Sequence, residues 1–191
     1  MSGKNIIIGI TGTLGAGKGT IVEYLVKAKN FNHYSARGFI NEEITRRGLE
    51  INRDNMVSVA NDLRKKYGPS YIAENLYQRA QKDGGSCVLE SIRAVGEIEA
   101  LKEKGKFYMF AIDADIKERY NRIHKRGDVQ SDKVSFEEFI ANEKREMEST
   151  DPNKQNLSKC IEMSDYKFDN SGTVAKLHQQ INNVLQEIEG R

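Results

Sequence analysis

The chain is poor in the features that mark disulfide-rich, membrane-spanning and disordered proteins. Its only cysteines, Cys87 and Cys160, lie far apart. Two thiolates cannot complete a structural zinc site or a disulfide framework, so a reduced, cytoplasmic setting is expected. There are only two prolines, and no long apolar run. Ile6-Ile7-Ile8 is broken by Gly9 and is too short for a bilayer span or a signal-peptide core. No membrane partner is therefore expected. An excess of one charge is missing too. Thirty Lys and Arg face 28 Asp and Glu, a net of +2, which gives no global field calling for nucleic acid. What remains is a chain that is 38% hydrophobic and 30% charged, neither disordered nor fibrous. Its 191 residues suit one domain. A chain of that size buries about 70% of its unfolded surface and needs no staple.

Short β-rich runs alternate with longer helical ones. Strands are expected at Asn5–Thr11, Phe31–Tyr34, Ser86–Glu90, Phe107–Asp113 and Tyr166–Asp169. Helices are expected over Thr20–Ala28, Arg37–Arg47, Asn55–Lys66, Ser70–Lys82, Gly96–Lys104 and Asp115–Arg126. Gly68-Pro69 separates the third from the fourth. Ser135-Phe-Glu-Glu138 has the form of a capping box and opens a further helix to about Met147. Val174, Leu177, Ile181, Val184, Leu185 and Ile188 mark a closing helix. This alternation predicts an α/β fold with a parallel sheet covered on both faces. Ligands of such sheets bind at the carboxyl ends of the strands, here just after Ile10, Leu89 and Ile112.

The first of those ends carries Gly12, Thr13, Leu14, Gly15, Ala16, Gly17, Lys18, Gly19 and Thr20. This is the G-x-x-x-x-G-K spacing of a P-loop, between a strand and a helix. Glycines let successive backbone N–H groups turn inward around a polyphosphate, and the helix N-terminus adds a favourable dipole. Lys18 supplies a charge for the β- and γ-phosphates. Gly19 stands where most P-loops place the Ser or Thr that meets Mg2+; Thr20 comes one position later. Glu90, at the end of its strand, could face the loop and hold Mg2+ or its water. Arg119, Arg122 and Arg126 share a helix face beside the polar segment Gly127–Asp132. His33, His124 and His178 lack metal-ligand spacing, and Cys87 and the tyrosines Tyr67, Tyr71 and Tyr77 read as packing residues.

The G-x-x-G-x-G-K-G-T form of the loop resembles adenylate kinase and related nucleoside monophosphate kinases. The segments RGLEINRDNMVSVANDLRKKYGPSYIAENL, ESIRAVGEIEALK and RGDVQSDKVSFEEFIANEKREM extend the resemblance over most of the chain, including members described as dephospho-CoA-kinase-like. A similar P-loop domain precedes the deaminase domain of some deoxycytidylate deaminases. The resemblance implies a P-loop NTPase fold of three α/β/α layers with a mainly parallel five-stranded sheet. It implies one kinase domain over 1–191, with an acceptor-binding insert at about 35–82 and a lid at about 126–135. ATP and Mg2+ are the implied cofactors. The implied metal-site residues are Glu90 and Thr20, with the ion held largely through water and phosphates.

Glu90-Ser91-Ile92-Arg93 resembles the Asp-Gly-x-Pro-Arg segment of these kinases, with the Gly and Pro absent. Arg93 would then grip the acceptor phosphate, and Ser35 and Arg37 would join it. Arg122, Arg126 and Arg145 would close over the transferring phosphoryl group, and the base of ATP would rest near Asn170-Ser171-Gly172. The implied activity is ATP-dependent phosphotransfer to a small phosphorylated acceptor, a nucleoside or deoxynucleoside monophosphate. Two other readings stay open: a dephospho-CoA kinase, whose hydroxyl acceptor needs a base such as Asp113 or Asp115, and a nucleotide-binding regulatory module without catalysis. The basic helix over 119–126 leaves room for nucleic acid as a less expected partner, and nothing in the sequence sets the oligomeric state.

Overall fold

A computed structural model describes residues 5–126 and 134–190. Five strands form one sheet: β1 (Ile7–Gly12), β2 (Asn32–Ser35), β3 (Cys87–Glu90), β4 (Phe107–Asp113) and β5 (Tyr166–Asp169). Their order is β2-β3-β1-β4-β5, and every pairing is parallel. The expected three-layer α/β/α architecture is therefore present. The helices are α1 (Lys18–Lys29), α2 (Ala36–Arg46), α3 (Arg53–Tyr67), α4 (Tyr71–Asp83), α5 (Val95–Lys102), α6 (Ile116–Arg126), α7 (Phe136–Met147), α8 (Leu157–Glu162) and α9 (Val174–Glu189).

β1 is central and buried throughout, which is why its sequence shows no polar face. Its side chains alternate between two cores. Ile6, Ile8 and Ile10 pack with residues of α1 and α9, while Ile7 faces the helices α2 to α5. Gly9 lies on the second of these faces. A methyl there would sit 2.7 Å from the Phe107 ring and 2.8 Å from Met109, so the glycine makes room for β4 side chains.

Local chemistry sets the ends of the elements. Asn52 caps α3 by accepting from the N–H of Asn55, Ser35 caps α2 by accepting from Gly38, and Ser135 and Glu138 form the expected capping box of α7. α8 was not expected; it is one and a half turns long, too short for its apolar period to show. Of the lid segment at about 126–135, residues 127–133 lie outside those described.

One buried ion pair ties the α2–α5 side together. Arg64 of α3 and Glu97 of α5 are 2% and 1% exposed and meet at 3.0 Å. Glu97 Oε2 also accepts from the backbone N–H groups of Arg93 and Ala94, at 2.9 and 3.0 Å. It thus holds the loop after β3 as well as the guanidinium. Removing one partner of such a pair leaves a buried charge uncompensated, at a cost of about 3–5 kcal/mol. Glu97→Ala should lose stability on that scale in denaturant melts, more than Glu97→Gln. A loss under about 1 kcal/mol in the alanine variant would contradict this role.

Candidate active site

The carboxyl ends of β1, β2 and β3 open into a cavity of about 430 Å3. The loop after β1 forms one wall through Leu14, Gly15, Gly17, Lys18, Gly19 and Thr20. Gly12, Thr13 and Ala16 are absent from that wall, being turned back into the fold. Thr13 Oγ1 donates to Asp113 at 2.5 Å, and Ala16 O accepts from the buried Asn170 side chain at 2.8 Å. Asn170 therefore braces the loop from behind. Gly17, at φ 103°, is in a conformation that L side chains rarely adopt, and a Cβ there would lie 2.2 Å from Asn170 Nδ2. α1 begins directly after it with no side-chain cap. Its first N–H groups, those of Lys18 and Gly19, lack helical partners and lie at the cavity wall, the arrangement that binds phosphate elsewhere.

Lys18 Nζ donates to the carbonyls of Gly12 and Thr13, at 2.7 and 2.8 Å. Burial pushes its ammonium down to about 7, and the nearby Arg93 charge adds to the effect. Glu90 lines the cavity and receives His33 Nε2 at 2.9 Å. Burial raises its carboxyl, but the His33 contact and the charges of Lys18 and Arg37 outweigh that and keep it below the usual range. Among the described residues no three His, Cys, Asp or Glu cluster as metal ligands. One ionised carboxylate and the Thr20 hydroxyl in the same cavity wall fit Mg2+, which keeps several waters and takes its remaining ligands from phosphates.

The rest of the lining is part basic and part apolar. Ser35, Arg37, Arg53 and Arg93 contribute to it, as do Ile40, Met56, Val57 and Ala60. Arg93 Nη1 contacts Glu146 and, at 3.1 Å, Gln155 Oε1; Arg53 Nη2 contacts the other oxygen of Glu146. Arg122 lines the cavity and donates to Asn170 O at 2.6 Å.

Of the other expected residues, the described ones are not brought together with these. Arg145 does not line the cavity; it is 62% exposed and bonds Asn142 Oδ1 at 2.7 Å. One residue along α7 turns the helix by about 100°, and it is Glu146 that faces inward. Arg119 is buried at 4% rather than poised over the site. Its guanidinium donates to Leu14 O and Ala114 O and pairs with Glu143, which makes it a brace for the loop after β1. Arg126 ends α6, and its side chain lies outside those described. Asp113 is engaged by Thr13 and Arg119, and Asp115 caps α6 by accepting from Lys117 and Glu118.

Residues 8–151 match the family described as an AAA domain. A UPF0200 protein of Methanosarcina acetivorans is 30% identical over 149 residues, covering 76% of each chain. The chain belongs to the AAA-domain family and, within it, stands with the UPF0200 proteins. Its fold is similar to that of a gluconokinase from Sinorhizobium meliloti, at a TM-score of 0.57 and 13% identity, covering 100% of this chain and 96% of that one. A shikimate kinase from Aquifex aeolicus shares it at 0.54 and 15%, covering 95% and 97%. The fold is thus shared with these two kinases. No helix among the described residues is long and apolar enough to cross a membrane.

Reading the residues alone overlooked Arg53, Arg64, His33, Glu146 and Gln155. Arg53 had a signal, since it opens a helix directly after the capping Asn52. The others act through partners at least 33 positions away and left none.

The lowered Lys18 value has a consequence for binding. Between about pH 7 and 10.5 the unfolded chain holds a proton on Lys18 that the folded, ligand-free protein does not, so this group's contribution to stability rises with pH across that window. A polyphosphate at the loop would restore the charge. ATP binding near pH 8 should therefore take up a proton, approaching one per site. Calorimetry in buffers of different ionisation enthalpy reads this directly. The uptake should vanish in Lys18→Met, and an unchanged uptake there would contradict the assignment.

Proposed function

We propose that the protein is an ATP-dependent phosphotransferase acting on a small phosphorylated acceptor, with a nucleoside or deoxynucleoside monophosphate as the preferred class. The observation that carries this reading is one cavity lined by two unlike groups. An uncapped helix start with Lys18 lines it together with Arg37 and Arg93.

In this reading the ATP phosphates occupy the loop from Gly12 to Thr20, where backbone N–H groups and Lys18 meet the β- and γ-phosphates. Mg2+, held through Glu90, Thr20 and water, would supply charge neutralisation at the bridging oxygens. Arg37 and Arg93, with Ser35 beside them, hold the acceptor phosphate in line. An oxygen of that phosphate attacks the γ-phosphorus as the bond to the β–γ bridging oxygen breaks, and ADP leaves. No general base is required when the nucleophile is already a phosphate dianion, so positioning and electrostatics supply the catalysis. Arg122 and Arg126 would stabilise the charge that spreads over the transferred group. A hydroxyl acceptor, as in dephospho-CoA, would need a base. Asp113 and Asp115 are committed to Thr13, Arg119 and the start of α6; of the described carboxylates lining the cavity, Glu146 is held by Arg53 and Arg93, which leaves Glu90. One domain over 1–191, with the acceptor insert at 35–82 and the lid at 126–135, completes the reading.

The test is a panel of nucleoside and deoxynucleoside monophosphates, dephospho-CoA, gluconate and shikimate, scored by ADP release with product identification. A monophosphate should be phosphorylated, and turnover confined to a hydroxyl acceptor would overturn the choice. Tight ATP binding with no product on any acceptor would point to a regulatory module. With the accepted substrate, Lys18→Ala should lower kcat/KM by about 100-fold or more, the scale of a lost preorganised contact. Arg126→Ala should reduce kcat more than ATP affinity, and the reverse pattern would remove Arg126 from the proposed lid.

A further inference from the structure

Three distant stretches of chain meet at one carboxylate. Arg53 is the first residue of α3, Arg93 follows β3, and Glu146 lies in the last turn of α7. All three line the cavity, and Glu146 is only 9% exposed. Its two oxygens are divided, one to Arg53 Nη2 and the other to Arg93 Nη1. A carboxylate facing a single arginine usually takes two parallel bonds from one fork. Here each fork gives up one nitrogen and keeps the rest. Among the described residues Arg53 Nε is buried with no partner, and neither Arg53 Nη1 nor Arg93 Nε and Nη2 has a hydrogen bond.

We propose that Glu146 is the positioning residue of a two-arginine clamp, holding Arg53 and Arg93 side by side so that their remaining N–H groups receive the acceptor's phosphate. The proposal rests on the phosphotransferase reading and deepens it. Arg53 becomes a second contact to the acceptor, and Glu146 becomes the group that aligns both arginines.

The sign of the charge fits. Arg53 and Arg93 against Glu146 leave 2 − 1 = +1 at the clamp itself, and Arg37 in the same cavity adds a further guanidinium for a phosphate dianion. Without the carboxylate, neighbouring guanidiniums would repel each other and Lys18. Two long side chains would also have to be ordered when the acceptor arrives, at an entropic cost to affinity. Burial raises the Glu146 carboxyl, but the two guanidiniums more than offset this, so the bridge stays ionised at neutral pH. A carboxylate bonded to only one nitrogen of each fork aligns them without using up their capacity.

Glu146→Gln keeps the shape of the side chain but turns an N–H2 toward one guanidinium, which breaks the bridge. The acceptor KM should rise at least tenfold, with kcat falling less than threefold and the ATP KM within threefold of wild type. Arg53→Met should give the same acceptor-specific loss, and the double variant should lose little more than either alone. A melting curve and the dissociation constant of a non-hydrolysable ATP analogue separate this from unfolding, and Arg53→Met carries the test if Glu146→Gln does not fold. An unchanged or lowered acceptor KM would overturn the proposal; a lowered one would mean that Glu146 competes with the substrate. If wild type turns over no acceptor, the phosphotransferase reading fails, and the clamp is tested by titrating inorganic phosphate into protein saturated with the analogue. Weaker phosphate binding in both variants, with analogue affinity intact, supports the clamp, and equal binding overturns it.

Discussion

Six basic side chains, Lys18, Arg37, Arg53, Arg64, Arg93 and Arg122, face one cavity in company with only Glu90 and Glu146. Keeping like charges together in a partly dry space is the constraint on which the rest of this structure depends, because their mutual repulsion grows as water is excluded. The solution is to place a carboxylate against a guanidinium wherever burial is deepest. Glu97 meets Arg64, Glu146 lies between Arg53 and Arg93, and outside the cavity Glu143 meets Arg119. Lys18 has no such direct partner. It relies on two loop carbonyls, and its ammonium is the group that burial brings down to about 7. Among the described residues Lys18 has no carboxylate against it, and it is thereby placed to gain from a polyanion.

The same pairs serve as scaffolding. Arg119 links α6 and α7 to the carbonyl of Leu14, Thr13 is bonded to the end of β4, and Asn170 ties the loop after β5 to Ala16. Three contacts thus brace the loop after β1, several of whose residues line the cavity. A loop fixed in this way need not reorganise when charge arrives, which is what makes preorganised dipoles effective.

Much of the fold could be read from the sequence because its signals are local. The capping box at Ser135, the Gly68-Pro69 break and the continuous apolar character of β1 and β4 each act within a few residues, and the corresponding elements stand within two or three positions of their expected ends. The loop from Gly12 to Thr20 was legible for the same reason. The basic part of the remaining lining was not, because it is built from contacts between residues 53 to 93 positions apart: Glu146 with Arg93 and Arg53, and Gln155 with Arg93. The glutamates of α7 carry no local sign of distant partners. Two of them are partners of arginines, and a shift of one position separates exposed Arg145 from inward Glu146.

Ser91 shows how a departure from a familiar pattern can keep the geometry of the pattern. It stands where the resembling kinases have glycine, and it adopts φ 71°, in the left-handed region that glycine favours. A serine held there costs of the order of 1 kcal/mol. The surroundings compensate: the N–H groups of Ser91 and Ile92 both bond Ile10 O at 3.0 Å, and Glu97 receives the next two N–H groups. Four consecutive backbone donors are thus fixed by β1 and α5. The chain must turn sharply at the end of β3 for Arg93 to reach the cavity, and the bonds from Ile10 and Glu97 hold that turn whichever residue occupies position 91. A serine can therefore stand at this turn, because hydrogen bonds hold the backbone that a glycine would adopt more readily.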